Sequence, residues 1–141
     1  MTDQNTQKVQ GEEKLSSSEP LKTVLIVEDD PVLLKMYTEK FTFDGFNVLN
    51  AKDGEEALET ATFQKVDVIL LDIMLPRMSG TDFLEKFRQK EKGKNVPVIA
   101  LTNLTEEAEK EKALKLGVKA YLVKAMQTPE EVVAKVKANL S

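Results

Sequence analysis

The chain has 141 residues, which is enough for one compact domain with a single core. It contains no Cys and no His, which excludes disulfides, zinc–thiolate sites and nucleophile pairs that depend on imidazole. The formal net charge of -4 argues against a dedicated nucleic-acid surface, and no apolar run approaches the roughly 18 residues of a membrane span. We therefore expect a cytoplasmic protein without membrane insertion, whose chemistry uses carboxylates, Lys, hydroxyls and backbone groups.

Residues 1 to about 20 differ in composition from the rest of the chain. They are rich in Gln, Glu, Lys and Ser, have no aromatic residue and include Ser16-Ser17-Ser18. Such a segment cannot bury enough apolar surface to offset the entropy lost on ordering. We predict a disordered N-terminal tail over residues 1–20 and a folded domain over residues 21–141.

Five short apolar runs follow the tail and are predicted to be strands. They cover residues 24–27, 46–49, 66–71, 96–101 and 120–123. Pro97 lacks the N–H that a central strand requires, so it is expected at the start of the fourth strand.

Five segments with helical spacing alternate with these runs. Asp30 is predicted to cap the first helix with Pro31 at its first position, and Asp53 caps the second. The apolar residues of the third helix are Phe83, Leu84 and Phe87. The fourth helix is predicted over residues 105–116, stopped by Gly117, and the fifth begins with the capping box of Thr128, Pro129 and Glu131.

The alternation of strands and helices defines the fold class. Short loops and continuous apolar strands favour a parallel sheet covered by helices on both faces. Right-handed crossovers then give an α/β, doubly wound architecture with five parallel strands and five helices. Ligands of such sheets bind at the carboxyl ends of the strands.

Polar residues follow four of the predicted strands and therefore meet at one edge of the sheet. Glu28 and Asp29 follow the first strand, Asp72 the third, Thr102 the fourth and Lys124 the fifth. Carboxylates of Glu28, Asp29 and Asp72 form an oxygen-rich site suited to Mg²⁺. Asp72 is placed to attack a phosphoryl group, while Lys124 neutralises phosphoryl oxygens and Thr102 donates a hydrogen bond.

These motifs resemble the receiver domains of bacterial two-component response regulators, with the flavodoxin-like fold of the chemotaxis regulators. The resemblance covers about residues 21–140 and rests on four segments, with matching order and intervals. They are Val24-Leu25-Ile26-Val27-Glu28-Asp29-Asp30-Pro31, Leu70-Leu71-Asp72-Ile73-Met74-Leu75-Pro76 with Gly80, Ala100-Leu101-Thr102, and Tyr121-Leu122-Val123-Lys124.

The resemblance implies a strand order of 2-1-3-4-5 and a phosphorylation switch. Asp72 would accept phosphate from a histidine kinase or phosphotransfer protein, and the Met74 carbonyl would add an oxygen to the Mg²⁺ ligands Glu28, Asp29 and Asp72. Thr102 and Tyr121 would form the switch pair that reshapes the helix 4–strand 5–helix 5 surface for a downstream protein target.

The chain departs from the family pattern at three places. Ala125 follows Lys124 where the family has proline after a cis bond, so we expect a trans Lys124–Ala125 bond and a less rigidly held lysine. Met74 and Leu104 replace polar groups that position the hydrolytic water, which predicts a long-lived phosphate. Lys119 and Ala120 replace an acidic pair of the dimer-forming regulators, which predicts a monomer when unphosphorylated.

Three other functions compete with a stand-alone phosphoacceptor switch. The domain is alternatively a receiver module excised from a larger DNA-binding regulator or hybrid kinase, or a scaffold that is not phosphorylated. An aspartate-nucleophile phosphohydrolase of the haloacid dehalogenase type is disfavoured, because Met74 occupies the position of the general-acid Asp. We therefore expect no enzyme activity beyond self-phosphorylation from a phosphodonor and slow autodephosphorylation.

Overall fold

A computed structural model describes residues 20–140, so the predicted tail lies outside the described residues except for Pro20. The five strands are β1 (Thr23–Val27), β2 (Asn47–Ala51), β3 (Val68–Leu71), β4 (Val98–Thr102) and β5 (Ala120–Val123). The five α-helices are α1 (Pro31–Phe43), α2 (Gly54–Phe63), α3 (Gly80–Arg88), α4 (Glu107–Lys115) and α5 (Pro129–Ala138). Short 3₁₀ turns at Glu91–Gly93 and Lys124–Met126 follow α3 and β5.

The strands form one parallel sheet in the order β2-β1-β3-β4-β5, as predicted. Helices α1 and α5 cover one face, where Phe41 and Val132 are fully buried. Helices α2, α3 and α4 cover the other, where Phe83, Phe87 and Ala113 are fully buried. Every residue of β3 and β4 is buried, which explains why these strands are apolar except at the terminal Thr102.

The predicted caps of α1, α2 and α5 are confirmed. Asp30 accepts the N–H of Val32 with Pro31 at the first helical position, and Asp53 accepts the N–H of Glu56. The Thr128–Glu131 capping box is present at α5. At α3, Ser79 accepts the N–H of Asp82, a cap that the sequence interpretation did not include.

Several predicted boundaries are shifted. Strand β2 begins one residue late and runs to Ala51, since Phe46 turns inward against Phe41 with ring centroids 5.2 Å apart. Strand β3 begins at Val68 rather than at residue 66, and the carboxylate of Asp67, just before it, accepts the N–H of Thr23 at 2.8 Å. Helix α4 begins at Glu107 rather than at residue 105, and Gly117 beyond its end has φ of 88°.

Strand β4 begins at Val98 rather than at residue 96, so Pro97 lies immediately before the strand instead of at its start. Its carbonyl accepts the N–H of Ile69 at 3.0 Å, so the proline takes part in the sheet only as an acceptor. Among residues 20–140, no helix combines the length and the apolar character needed to cross a bilayer.

Arg88 links several segments by hydrogen bonds at the edge of the sheet opposite the carboxyl ends of the strands. Its guanidinium donates to the carbonyls of Val96 at 2.7 Å, Gly93 at 2.8 Å and Leu116 at 2.9 Å. It therefore joins the end of α3 to the segment before β4 and the end of α4. Burial lowers the pKa of Arg88, but its carbonyl partners suit a charged donor.

Replacing Arg88 by Met is expected to lower the free energy of unfolding by about 2–3 kcal/mol, because several carbonyls lose their donor in a half-buried site. Chemical denaturation measures the change. Lys86→Met, an exposed position on the same helix, is the matched control and should change stability by less than about 0.5 kcal/mol. Equal losses in the two variants would contradict the role of Arg88.

Candidate functional site

Strand register brings the predicted acidic residues together at the carboxyl edge of the sheet. Val27 pairs with Leu71, so Glu28 and Asp72 leave adjacent strands side by side. The Asp72 N–H donates to the Val27 carbonyl at 3.0 Å, which continues the ladder one residue beyond β3. Backbone pairing therefore fixes the positions from which the Glu28 and Asp72 side chains extend.

Lys124 bridges the two buried carboxylates. Its Nζ lies 2.7 Å from Asp72 Oδ2 and 2.7 Å from Glu28 Oε1. Glu28 and Asp72 are only 3% and 5% exposed, so this ammonium is their principal counter-charge among the described residues. The predicted grouping of Asp72 with Lys124, residues 52 positions apart, is present in the structure.

Burial and the neighbouring charges shift the pKa values of Glu28 and Lys124 in opposite directions. Burial raises the pKa of Glu28 above its ordinary value, although the hydrogen bond from Lys124 acts in the other direction. Burial alone would lower the pKa of Lys124, but hydrogen bonds to Asp72 and Glu28 outweigh it and raise that pKa. Lys124 is therefore held in its charged form beside the two carboxylates.

The acidic residues fit a divalent cation. Glu28, Asp29 and Asp72 each offer a carboxylate oxygen, and these oxygens lie within 4.8 Å of one another. An all-oxygen donor set is the type that hard cations such as Mg²⁺ prefer, and Asp29 is exposed at the mouth of the cluster. Met74 contributes its N–H, which donates to Asp72 Oδ1 at 3.1 Å; the predicted ligation by its carbonyl stays a prediction.

Gly80 lets helix α3 pack directly against the loop that carries Asp72. A Cβ at this position would overlap the Asp72 carbonyl oxygen and lie against Ile73. The Gly80 N–H also donates to the Ile73 carbonyl at 2.9 Å. The glycine in the quoted motif is thus required by close backbone approach at the site.

The predicted switch residues are linked through the backbone of Leu104. The fully buried Thr102 hydroxyl accepts the Leu104 N–H at 3.2 Å, and the Tyr121 hydroxyl donates to the Leu104 carbonyl at 2.8 Å. Burial raises the pKa of Tyr121, as do the nearby charges of Glu109 and Asp72. Movement of the loop after β4 would therefore disturb the hydrogen bonds of both side chains.

The Lys124–Ala125 bond is trans, as predicted, since residues 20–140 contain no cis peptide bond. The Ala125 N–H donates to Asn103 Oδ1 at 3.1 Å. Sequence reasoning missed Asn103, and nothing in its spacing signals a contact 22 residues away. How rigidly Lys124 is held stays a prediction.

Comparison with known proteins identifies the family. The family model described as "Response regulator receiver domain" matches residues 24–137. This chain belongs to the response regulator receiver family. The resemblance predicted from the four sequence segments is confirmed, and so is the strand order that it implied.

Individual relatives extend the match. The receiver chain is 37% identical over 119 residues to the alkaline phosphatase synthesis transcriptional regulatory protein PhoP of Bacillus subtilis, covering 84% of this chain and 48% of that protein. The chain thus spans about half the length of the curated relatives it matches first.

Two solved structures share the fold at 30% identity. The chemotaxis protein CheY4 of Vibrio cholerae has a TM-score of 0.79 and covers 85% of this chain and 99% of its own. The receiver domain of the sensor histidine kinase PA1611 from Pseudomonas aeruginosa PAO1, solved with a magnesium ion coordinated in its active site cleft, has a TM-score of 0.76. This second match covers 84% of this chain and 96% of its own.

Proposed function

We propose that this receiver domain is a phosphoacceptor switch and that Asp72 is the residue phosphorylated. The observation that carries the proposal is the buried Asp72 carboxylate held 2.7 Å from Lys124 at the carboxyl edge of the sheet. An Asp72 oxygen attacks phosphorus and forms an acyl phosphate, while the bond to the donor's leaving group breaks and its electron pair departs with that group. The physiological donor is a histidine kinase or a phosphotransfer protein.

The surrounding residues have distinct roles in this transfer. Lys124 neutralises charge on the phosphoryl oxygens, and Thr102 donates its hydroxyl to the phosphoryl group once it is attached. Glu28, Asp29, Asp72 and the Met74 carbonyl would hold Mg²⁺, which supplies further charge neutralisation when bound. The magnesium ion in the active site cleft of the Pseudomonas aeruginosa receiver supports this assignment.

The output is a change at the surface formed by α4, β5 and α5. Because Leu104 binds both Thr102 and Tyr121, movement of Thr102 toward a phosphoryl group would break or shift the Tyr121 contact. Inward packing of Tyr121 would then reshape the surface that a downstream protein reads. The domain acts through proteins in the cytoplasm and does not itself bind nucleic acid.

A second architecture is favoured by one observation. The chain spans about half of relatives that are named transcriptional regulatory proteins. The receiver would then be the input module of a longer regulator, and Asp72 chemistry would be unchanged. In either setting its own reactions are phosphoryl acceptance and slow hydrolysis.

Mass spectrometry of the purified chain tests the proposed function. Incubation with a small acyl phosphate and Mg²⁺ should add the mass of one phosphoryl group, and a chelator should prevent the addition. Reduction with borohydride converts an aspartyl phosphate to homoserine, so peptide mapping should place homoserine at position 72. An unchanged mass with several phosphodonors, in protein shown to be folded, would contradict the proposal.

The phosphorylated state is expected to be long-lived, because Met74 and Leu104 cannot orient a hydrolytic water well. Met74 is 57% exposed, so Met74→Asn should be tolerated and should shorten the lifetime by roughly tenfold, since an amide can hydrogen-bond the attacking water and orient it, although it is not a general base. Met126→Asn, also at an exposed methionine near the site, is the control. Loss of phosphate from the wild type within seconds would contradict this prediction.

The unphosphorylated domain is expected to be monomeric. The positions where dimer-forming relatives are expected to carry an acidic pair are Lys119, which is exposed, and Ala120. Sedimentation at several concentrations should give one monomer boundary. A dimer that persists on dilution would contradict the expectation.

A further inference from the structure

Asn103 makes a contact that has no part in the proposed phosphoryl transfer to Asp72. Its Oδ1 accepts the N–H of Ala125 at 3.1 Å, although both residues are exposed. Asn103 follows Thr102 directly, and Ala125 follows Lys124 directly. The hydrogen bond therefore ties the loop that carries the hydroxyl to the loop that carries the ammonium.

The bond also satisfies a backbone donor that lacks a local partner. Lys124–Met126 forms a 3₁₀ turn whose N-cap, Val123, makes no side-chain cap hydrogen bond. The first N–H groups of such a turn point away from its own carbonyls and need an external acceptor. Asn103 supplies one from 22 residues away, acting as a long-range cap.

Ala125 makes this arrangement possible. Proline at this position would have no N–H, so Asn103 would have nothing to accept. With Ala125 the backbone has a donor, and anchoring that donor restricts the residue immediately before it. That residue is Lys124, whose Nζ must reach both Asp72 and Glu28 at 2.7 Å.

We propose that Asn103 is a positioning residue, which holds the Lys124 turn through the Ala125 N–H so that the ammonium faces the phosphoryl group on Asp72. The inference rests on the proposed function of Asp72. Asn103 itself touches neither the carboxylate cluster nor the reacting atoms in this role. Because it lies beside Thr102, movement of Thr102 also changes the anchor of Lys124.

Asn103→Ala tests the role, with Asn95→Ala as the matched control at an exposed position before β4, at the opposite edge of the sheet. Amide hydrogen exchange at Ala125, measured without Mg²⁺, should accelerate in Asn103→Ala only. With a saturating acyl phosphate, the phosphorylation rate should fall roughly two- to tenfold, the effect of one lost hydrogen bond. The Mg²⁺ concentration giving half-maximal rate should be unchanged, since the carboxylates are untouched.

A double variant tests whether Asn103 acts through the Ala125 N–H or in some other way. Ala125→Pro removes the donor, so adding Asn103→Ala to it should cause no further loss of rate. A full additional loss in the Ala125→Pro background would overturn the route through Ala125. Asn103→Ala matching Asn95→Ala in both exchange and rate would overturn the positioning role while leaving Asp72 as acceptor. Absence of phosphorylation in the wild type would overturn both proposals.

Discussion

Asp72→Asn is expected to abolish the one-phosphoryl mass increase with every phosphodonor. The amide that replaces the carboxylate is a poor nucleophile and cannot form an acyl phosphate. The fold should tolerate the change, because Lys124 keeps its 2.7 Å contact with Glu28 and the substitution preserves side-chain volume. We expect a free energy of unfolding within about 1 kcal/mol of the wild type.

Two neighbouring substitutions sharpen this test. Asp30→Asn is the matched control, because Asn is an equally good N-cap and Asp30 is assigned only to the start of α1. It should be phosphorylated like the wild type. Asp29→Asn removes a proposed Mg²⁺ ligand and should require a higher Mg²⁺ concentration for the same rate. Phosphorylation of Asp72→Asn at the wild-type level would assign the phosphate to another residue.

Lys124→Met is expected to affect both stability and phosphorylation. The lysine side chain is 13% exposed and contacts both Asp72 and Glu28, so its removal leaves two buried carboxylates without a counter-charge. Loss of one partner of a buried ion pair typically costs 3–5 kcal/mol, and we expect about 3 kcal/mol here because solvent reaches the mouth of the cluster, where Asp29 is exposed. Phosphorylation should slow by at least about 10²-fold, since an aligned cation no longer stabilises developing charge.

Denaturation with and without Mg²⁺ measures the stability effect. Added Mg²⁺ should stabilise Lys124→Met more than the wild type, because a cation at the carboxylates replaces the missing ammonium. Lys119→Met is the control, since this exposed lysine lies at the opposite end of β5. Equal stability of the two variants would show that Lys124 does not compensate the carboxylates, and an unchanged phosphorylation rate would remove it from the chemistry.

Local sequence signals predicted the architecture because they depend on near neighbours along the chain. Caps such as Asp30 with Pro31 act over a single turn. The apolar runs of β3 and β4 can be recognised without knowing which strands lie beside them. Boundaries were less well predicted where a tertiary contact decided them. Phe46 has the composition of a strand residue, but packing against Phe41 places it before β2.

The residues of the candidate site were predicted from the strand ends, but the distances between their side chains were not. The order of residues along a parallel sheet implies that Asp72 and Lys124 share an edge, which holds for any sequence with this topology. Whether Lys124 contacts one carboxylate or two depends on loop conformation, and the structure has it bridging Asp72 and Glu28.

The sequence by itself determined the strand and helix succession, the family and the identity of the residues at the strand ends, because these depend on apolar periodicity, capping chemistry and spacing. Only the tertiary structure decided the contacts between loops far apart in sequence. Asn103 with Ala125, Arg88 with Val96 and Leu116, and Tyr121 with Leu104 are side-chain-to-backbone hydrogen bonds. Every residue carries a carbonyl and nearly every residue an N–H, so residue types do not reveal such pairings; they emerge when the packed helices bring the loops together.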